Sequence, residues 1–150
     1  MLELHELPPH LQDLPVGLYK FPGPERDALV AAIDDGRKTT TSSLLIEYIV
    51  HDLPIPAAGD REVVIDSAER AICLTRATYV EVCRLADVEL RHVLGEGTGR
   101  KSVEEWRTAQ EIFWRSARFE RVLKDFGVTN FTLSDDSLVV WVTMEVTEHF

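Results

Sequence analysis

Sulfur chemistry is scarce in this sequence. Its 150 residues include only two cysteines, Cys73 and Cys83, with no CxxC pair and no histidine at ligand spacing. Neither a structural zinc site nor a disulfide framework is expected, and the pattern names no cofactor. Basic residues are also in deficit, sixteen against twenty-six acidic ones, for a formal charge of −10. That excludes a protein that coats nucleic acid or anionic lipid through its global field, so any nucleic-acid contact must come from a local patch. Long apolar runs are missing too: none approaches the roughly 20 residues needed to span a bilayer, and no membrane partner is expected. Residues Met1 to Glu6 are acidic and soon meet Pro8-Pro9, unlike the basic leader and apolar core of a signal peptide. These absences lead to the expectation of a cytoplasmic protein.

What is present suits one compact domain, with 45% hydrophobic residues. Residues 1–20 carry Pro8, Pro9 and Pro15 and few periodic apolar positions, and are expected as an irregular N-terminal arm; residues 21–150 are expected as a single domain. Pro24 opens a helix with the stripe Ala28, Leu29, Ala32 and Ile33, and Gly36 ends it. Seven polar residues follow, Arg37 to Ser43. Leu44 to Tyr48 fits a short buried strand or a helical turn equally well. Val63–Ile65 and Ala71–Val82, joined by polar Asp66–Arg70, read as a β-hairpin. Leu85 to Leu94 has weaker helical character and leads into Gly95-Glu96-Gly97-Thr98-Gly99, a loop expected to be flexible. Ser102 and Glu105 fit a capping box opening a helix that runs to Gly127. Leu138 to Val146 alternates with period two, as a half-buried strand does. Strands interrupted by helices, without repeated βαβ units, indicate an α+β domain with a curled, mostly antiparallel sheet.

Candidate chemistry is confined to a few segments. Gly95 to Ser102 imitates the phosphate-binding pattern GxxxxGK[ST], but Arg100 stands where the pattern needs glycine and the preceding segment is helical, so no nucleoside-triphosphate site is expected. Residues 91–124 hold eight basic residues against five acidic ones, a local excess of three in an acidic chain. Within them Arg115, Arg118 and Arg121 recur every three residues, where one helix face could meet phosphates; a solvated face would carry the same pattern. Gly36-Arg37-Lys38-Thr39-Thr40-Thr41 places two cations and a run of hydroxyls directly after a helix stop. A lysine pressed into a pocket loses part of its proton affinity and can activate a neighbouring hydroxyl. In a regular strand Lys38 and Thr41 face opposite ways, so their partnership requires a bend. A polar linker whose hydroxyls cap local backbone would look the same. Glu96 is a lone carboxylate between glycines, a candidate general acid or base. Trp106, Trp114, Phe113, Tyr48 and Tyr79 could stack on a base or fill a core. Cys73 reads as a small buried apolar residue.

Phe21-Pro22-Gly23-Pro24, Gly36-Arg37-Lys38-Thr39-Thr40-Thr41-Ser42-Ser43-Leu44-Leu45, Glu47-Tyr48, Gly59-Asp60-Arg61, Gly95-Glu96-Gly97 and Ser102-Val103-Glu104-Glu105-Trp106-Arg107 together resemble the ASCH domain family over roughly residues 21–148. The resemblance implies a PUA-like fold, a curled or barrel-like mostly antiparallel sheet with flanking helices, related to domains that hold RNA. It also implies two activities from different branches of the family: amidohydrolysis of N4-acetylcytidine, and metal-dependent cleavage of single-stranded RNA. A divalent metal is implied only by the second. The amidohydrolase lysine, threonine and glutamate fall on Lys38, Thr41 and Glu96. Arg37, Thr39, Ser42, Tyr48, Arg100, Arg115 and Arg118 are the candidate contacts to RNA or ligand. Gln110 stands where longer members often have histidine, and Thr98 to Lys101 looks inserted relative to compact members. The expected partner is RNA or a modified nucleoside, either as substrate of a small hydrolase or as ligand of a non-catalytic binding module; no motif indicates a protein partner.

Overall fold

The computed structural model describes residues 1–150. Its elements follow in the order β1 (Leu2–Glu3), α1 (Pro9–Gln12), β2 (Val16–Gly17), α2 (Pro24–Asp34), β3 (Thr40–Leu44), α3 (Leu45–Val50), β4 (Arg61–Ile65), β5 (Arg70–Arg84), α4 (Leu90–Leu94), α5 (Val103–Trp114), α6 (Ala117–Asp125) and β6 (Leu138–His149), with 3₁₀ turns at Leu4–Glu6 and Leu85–Asp87. The strands form one sheet in the order β2-β4-β5-β6-β3, and β1 also pairs with β5. Only β2 and β4 run parallel. Register shifts after Val64, Leu74 and Ala77 bend the long strands, as bulges do, and curl the sheet. The result is the expected α+β architecture: an open, curled, mostly antiparallel sheet with flanking helices.

Two clusters fix the helices to the sheet. Leu44, Leu85, Trp106, Trp114, Phe119, Val139 and Trp141 are buried together beneath α4 to α6. Tyr19, Val30, Ile33, Val64, Cys73 and Met144 join α2 to the other end. Cys73 is thus the small apolar core residue expected, and burial pushes its thiol up to about 12. Residues 1–20, expected as an irregular arm, contain β1, α1 and β2, and Leu7 and Leu11 are buried against Val63, Ile65, Ala71 and Leu74. No helix is long and apolar enough to cross a membrane.

Several local expectations are corrected. Leu44 ends β3 and Leu45 begins α3, so the ambiguous run is split between both alternatives, and Leu44 with its four upstream neighbours, Thr40–Leu44, forms a strand rather than a linker. The period-two pattern of β6 does not mean a half-buried strand, because Val139, Val140, Trp141 and Val142 are all buried. A strand covered on both faces by helices and sheet curl loses that distinction. The expected helix from Ser102 to Gly127 is two helices. Ser116 breaks it: its hydroxyl donates to the Phe113 carbonyl at 2.7 Å and accepts the Phe119 N–H at 3.2 Å, capping α6. Arg115 therefore ends α5 while Arg118 and Arg121 belong to α6, and no single helical face carries all three. Ser102 does cap α5, accepting the Glu105 N–H at 3.1 Å, but the Glu105 carboxylate takes the Lys101 N–H rather than that of Ser102.

Candidate functional site

The segment after α2 is turned by Gly36, whose φ of 82° suits a glycine at a helix end. The Lys38 N–H then bonds to the Ala32 carbonyl at 2.8 Å, while those of Thr39 and Thr40 both reach the Gly95 carbonyl, at 2.7 and 3.0 Å. The chain thus bends ahead of β3 instead of running on as a regular strand, although no hydrogen bond joins the Lys38 and Thr41 side chains. Lys38 precedes the strand and its amine folds back along it, donating to the Thr40 carbonyl at 2.6 Å. Thr41, opposite Val142 of β6, borders the same cavity.

Gly95-Glu96-Gly97 is not a loose loop, as the glycines led us to expect, but a packed one. A Cβ on Gly95 would lie 2.6 Å from the Thr40 side chain; one on Gly97, at φ +70°, would lie 2.7 Å from the Arg37 carbonyl oxygen. Both glycines are there for close approach. They bring Glu96 in between, 3% exposed, where its carboxylate accepts the Ser42 hydroxyl at 2.5 Å.

Lys38, Thr41 and Glu96 line one cavity of about 800 Å³, within the range of small-molecule sites. Arg37, Ser42, Tyr48 and Arg100 line it as well. Burial holds the Lys38 ammonium below its ordinary proton affinity; Glu96 opposes that shift, whereas Lys20 and Arg100 add to it. Thr39 is displaced from the group and borders a smaller cavity beside Asp34, Asp35 and His149. Arg37 is drawn to Asp35 by a 2.7 Å ion pair. Arg115 is exposed beside Glu111, and Arg118 stacks over the Phe21 ring at 3.7 Å, at the edge of the cavity rather than within it. Arg100 has no ion-pair partner.

Sequence reasoning passed over four groups on the cavity wall. Lys20, from the presumed arm, lines the cavity as well, and burial lowers its proton affinity. Glu47 of α3 is pushed up to about 7 by burial, against the pull of the Leu44 N–H and of Lys20. Glu62 of β4 is raised by burial although it accepts the Tyr19 hydroxyl at 2.5 Å. Gln110 of α5, noted only as a departure, is buried and donates to Ser42 Oγ at 3.2 Å. For Glu47 the adjacency to Tyr48 was a usable signal; Lys20 had none, because nothing periodic surrounds it. Burial raises the Tyr48 phenol too. No three His, Cys, Asp or Glu side chains come close enough together to hold a metal ion.

Comparison with known proteins bears on this arrangement. No curated protein sequence matches the chain. The crystal structure of a protein from Enterococcus faecalis V583 superposes with a TM-score of 0.75 at 23% identity, covering 97% of this chain and 82% of that one. An ASCH domain from Lactobacillus crispatus JV V101 superposes equally well, TM-score 0.75, at 22% identity over 97% of this chain and 89% of its own. At these identities the likeness is one of fold. The profile of the ASCH domain family itself matches residues 18–148, which takes in α2, the Lys38 turn, the Glu96 loop and all of β6 but its last residue. The curled α+β sheet is accordingly of the PUA-like kind, and the chain belongs to the ASCH domain family.

Proposed function

We propose that this protein is a small hydrolase acting on a modified nucleoside, of the kind that removes the acyl group from N4-acetylcytidine. ASCH domains are RNA-associated, and an acylated base is a fragment of modified RNA. The observation that carries the reading is the convergence of Lys38, Thr41 and Glu96 on one cavity, with the Lys38 amine buried beside Thr40. A cavity of this volume holds one nucleoside, and the chain's charge of −10 disfavours a long polyanion.

In this reading the Lys38 amine, its proton affinity lowered by burial, takes the proton from the Thr41 hydroxyl, or from a water held there, as that oxygen adds to the acyl carbonyl. The proton passes from Lys38 through Glu96 to the leaving N4 nitrogen as the C–N bond breaks; where Thr41 is the nucleophile, a water then hydrolyses its acetyl ester and restores the hydroxyl. The net products are cytidine and acetate. Ser42 donates to Glu96, which holds the carboxylate toward the cavity.

Purified protein incubated with N4-acetylcytidine should release cytidine, followed by chromatography. Lys38→Ala should slow release by at least about 100-fold, the lower range for loss of a general base. A parallel incubation with labelled single-stranded RNA, with and without Mg²⁺, tests the nuclease reading. No turnover of either substrate, with RNA bound all the same and released by salt, would leave a binding module instead.

A further inference from the structure

Lys20 is held in an arrangement that the proposed triad does not explain. Its backbone sits at φ 58°, a conformation uncommon for a side chain of this size. Arg26 holds it there. Arg26 is 5% exposed, and its guanidinium donates to the Tyr19 carbonyl at 3.1 Å and the Lys20 carbonyl at 2.8 Å. Strain kept up by a buried cation marks a position fixed for more than packing.

From that backbone the Lys20 amine reaches the cavity wall, donating to Gln110 Oε1 at 3.1 Å and lying 3.8 Å from the centre of the Phe113 ring. The hydrogen bonds continue in one direction. Gln110 Nε2 donates to Ser42 Oγ at 3.2 Å, and Ser42 donates to Glu96 Oε1 at 2.5 Å. Each member can occupy only one role. Lys20 has no acceptor, so Gln110 must turn its oxygen to it and its nitrogen to Ser42, and Ser42 must then point its proton at Glu96. The chain joins the segment before α2, then α5, β3 and the Gly95–Gly97 loop. An ammonium has three N–H bonds. Gln110 takes one and the Phe113 face a second, which leaves one for the cavity.

We propose that Lys20 is a further substrate-binding residue, donating to a carbonyl oxygen of the bound acylated base, and that Gln110 and Ser42 are positioning residues that tie it to Glu96. This rests on the hydrolase reading above and adds a binding group to the cavity that Thr41 also lines. The ligand class is a planar base or amide with an outward acceptor oxygen, flanked by Phe21, Phe113 and Tyr48. Other charged groups facing the Lys20 amine are Glu25 of α2, Lys38, Glu47 of α3, Glu96 and Arg100.

Lys20→Met keeps the apolar stem over Phe113 and removes the donor. With N4-acetylcytidine it should raise KM by about 10- to 100-fold, the loss of one charged hydrogen bond, with kcat changed less than threefold. Gln110→Met, of similar volume, should instead lower kcat and move the pH profile of kcat/KM, because Ser42 loses the donor that fixes its own proton on Glu96. A KM within about twofold of wild type in Lys20→Met, with thermal stability retained, would overturn the binding role. An unmoved pH profile in Gln110→Met would overturn the positioning role. Should the wild type itself turn over no acylated cytidine, the hydrolase reading fails first, and the chain is then read by NMR of isotope-labelled lysine. The Lys20 ammonium resonance should shift in Gln110→Met, and a resonance left in place would refute the chain independently of turnover.

Discussion

Replacing Gly97 by alanine separates the two demands made on the Glu96 loop. One is conformational: φ is +70° at Gly97 and +78° at Gly99, so alanine at either position is forced into the left-handed region at about 1–2 kcal/mol. The other is steric and belongs to Gly97 alone. Its Cβ would meet the Arg37 carbonyl oxygen at 2.7 Å and the Lys38 nitrogen at 2.8 Å, while Gly99 faces open space. The loop must then lift from β3 by several tenths of an ångström, and the bonds from Thr39 and Thr40 to the Gly95 carbonyl weaken, at about 1 kcal/mol each. Gly97→Ala should therefore cost about 3–4 kcal/mol and Gly99→Ala about 1–2. At roughly 2–4 °C per kcal/mol for a chain of this size, the first variant should melt about 6–16 °C lower and the second about 2–8 °C lower. Thermal melts followed by circular dichroism give the comparison directly. Equal losses in the two variants would refute the close-packing argument, since only backbone conformation would then matter.

Glu47 should make stability depend on pH. Its folded value of about 7 lies above the ordinary carboxylate value of 4.5, so the folded state holds the proton more tightly. Its contribution is complete below about pH 4.5 and is lost as pH rises through about 7, where the buried group must ionise. Glu47→Gln keeps an acceptor for the Leu44 N–H and removes the ionisation; its Tm relative to wild type should rise between pH 5 and pH 8, and parallel curves would contradict the assignment. Ser116→Ala removes the α6 cap and should cost about 1 kcal/mol in urea unfolding, with no change in the slope of the transition. An unaltered midpoint would mean that the break between α5 and α6 does not depend on that hydroxyl.

Much of the site was legible because its parts are local. Gly36 ends a helix by a rule of backbone geometry, and a lysine just beyond it must leave along the next strand. Glu96 was legible from its glycines, although the reason given for them was wrong: Gly95 is small so that Thr40 of β3 can lie against it, and Gly97 so that the Arg37–Lys38 backbone can. Lys20 and Gln110 were not legible. Their meeting joins residues ninety positions apart through tertiary packing, and neither stands in a pattern whose period could announce it. The same holds for the break at Ser116, where one hydroxyl outweighs a run of good helix formers, and for β6, whose four consecutive buried residues reflect the cover from both sides rather than any alternation.

The place of β6 in the sheet has a consequence for biosynthesis. This last strand pairs with β5 on one side and β3 on the other, so β3, which carries Thr41 and Ser42, has no sheet partner until residues 138–149 have left the ribosome. About one hundred residues separate Thr41 from Val142, a long loop to close. The nascent chain can form its hairpin and helices early, but the cavity wall that carries Thr41 and Ser42 must assemble last. Nonsense or frameshift changes beyond α6, though they spare every residue of the proposed triad, would release chains unable to build the pocket.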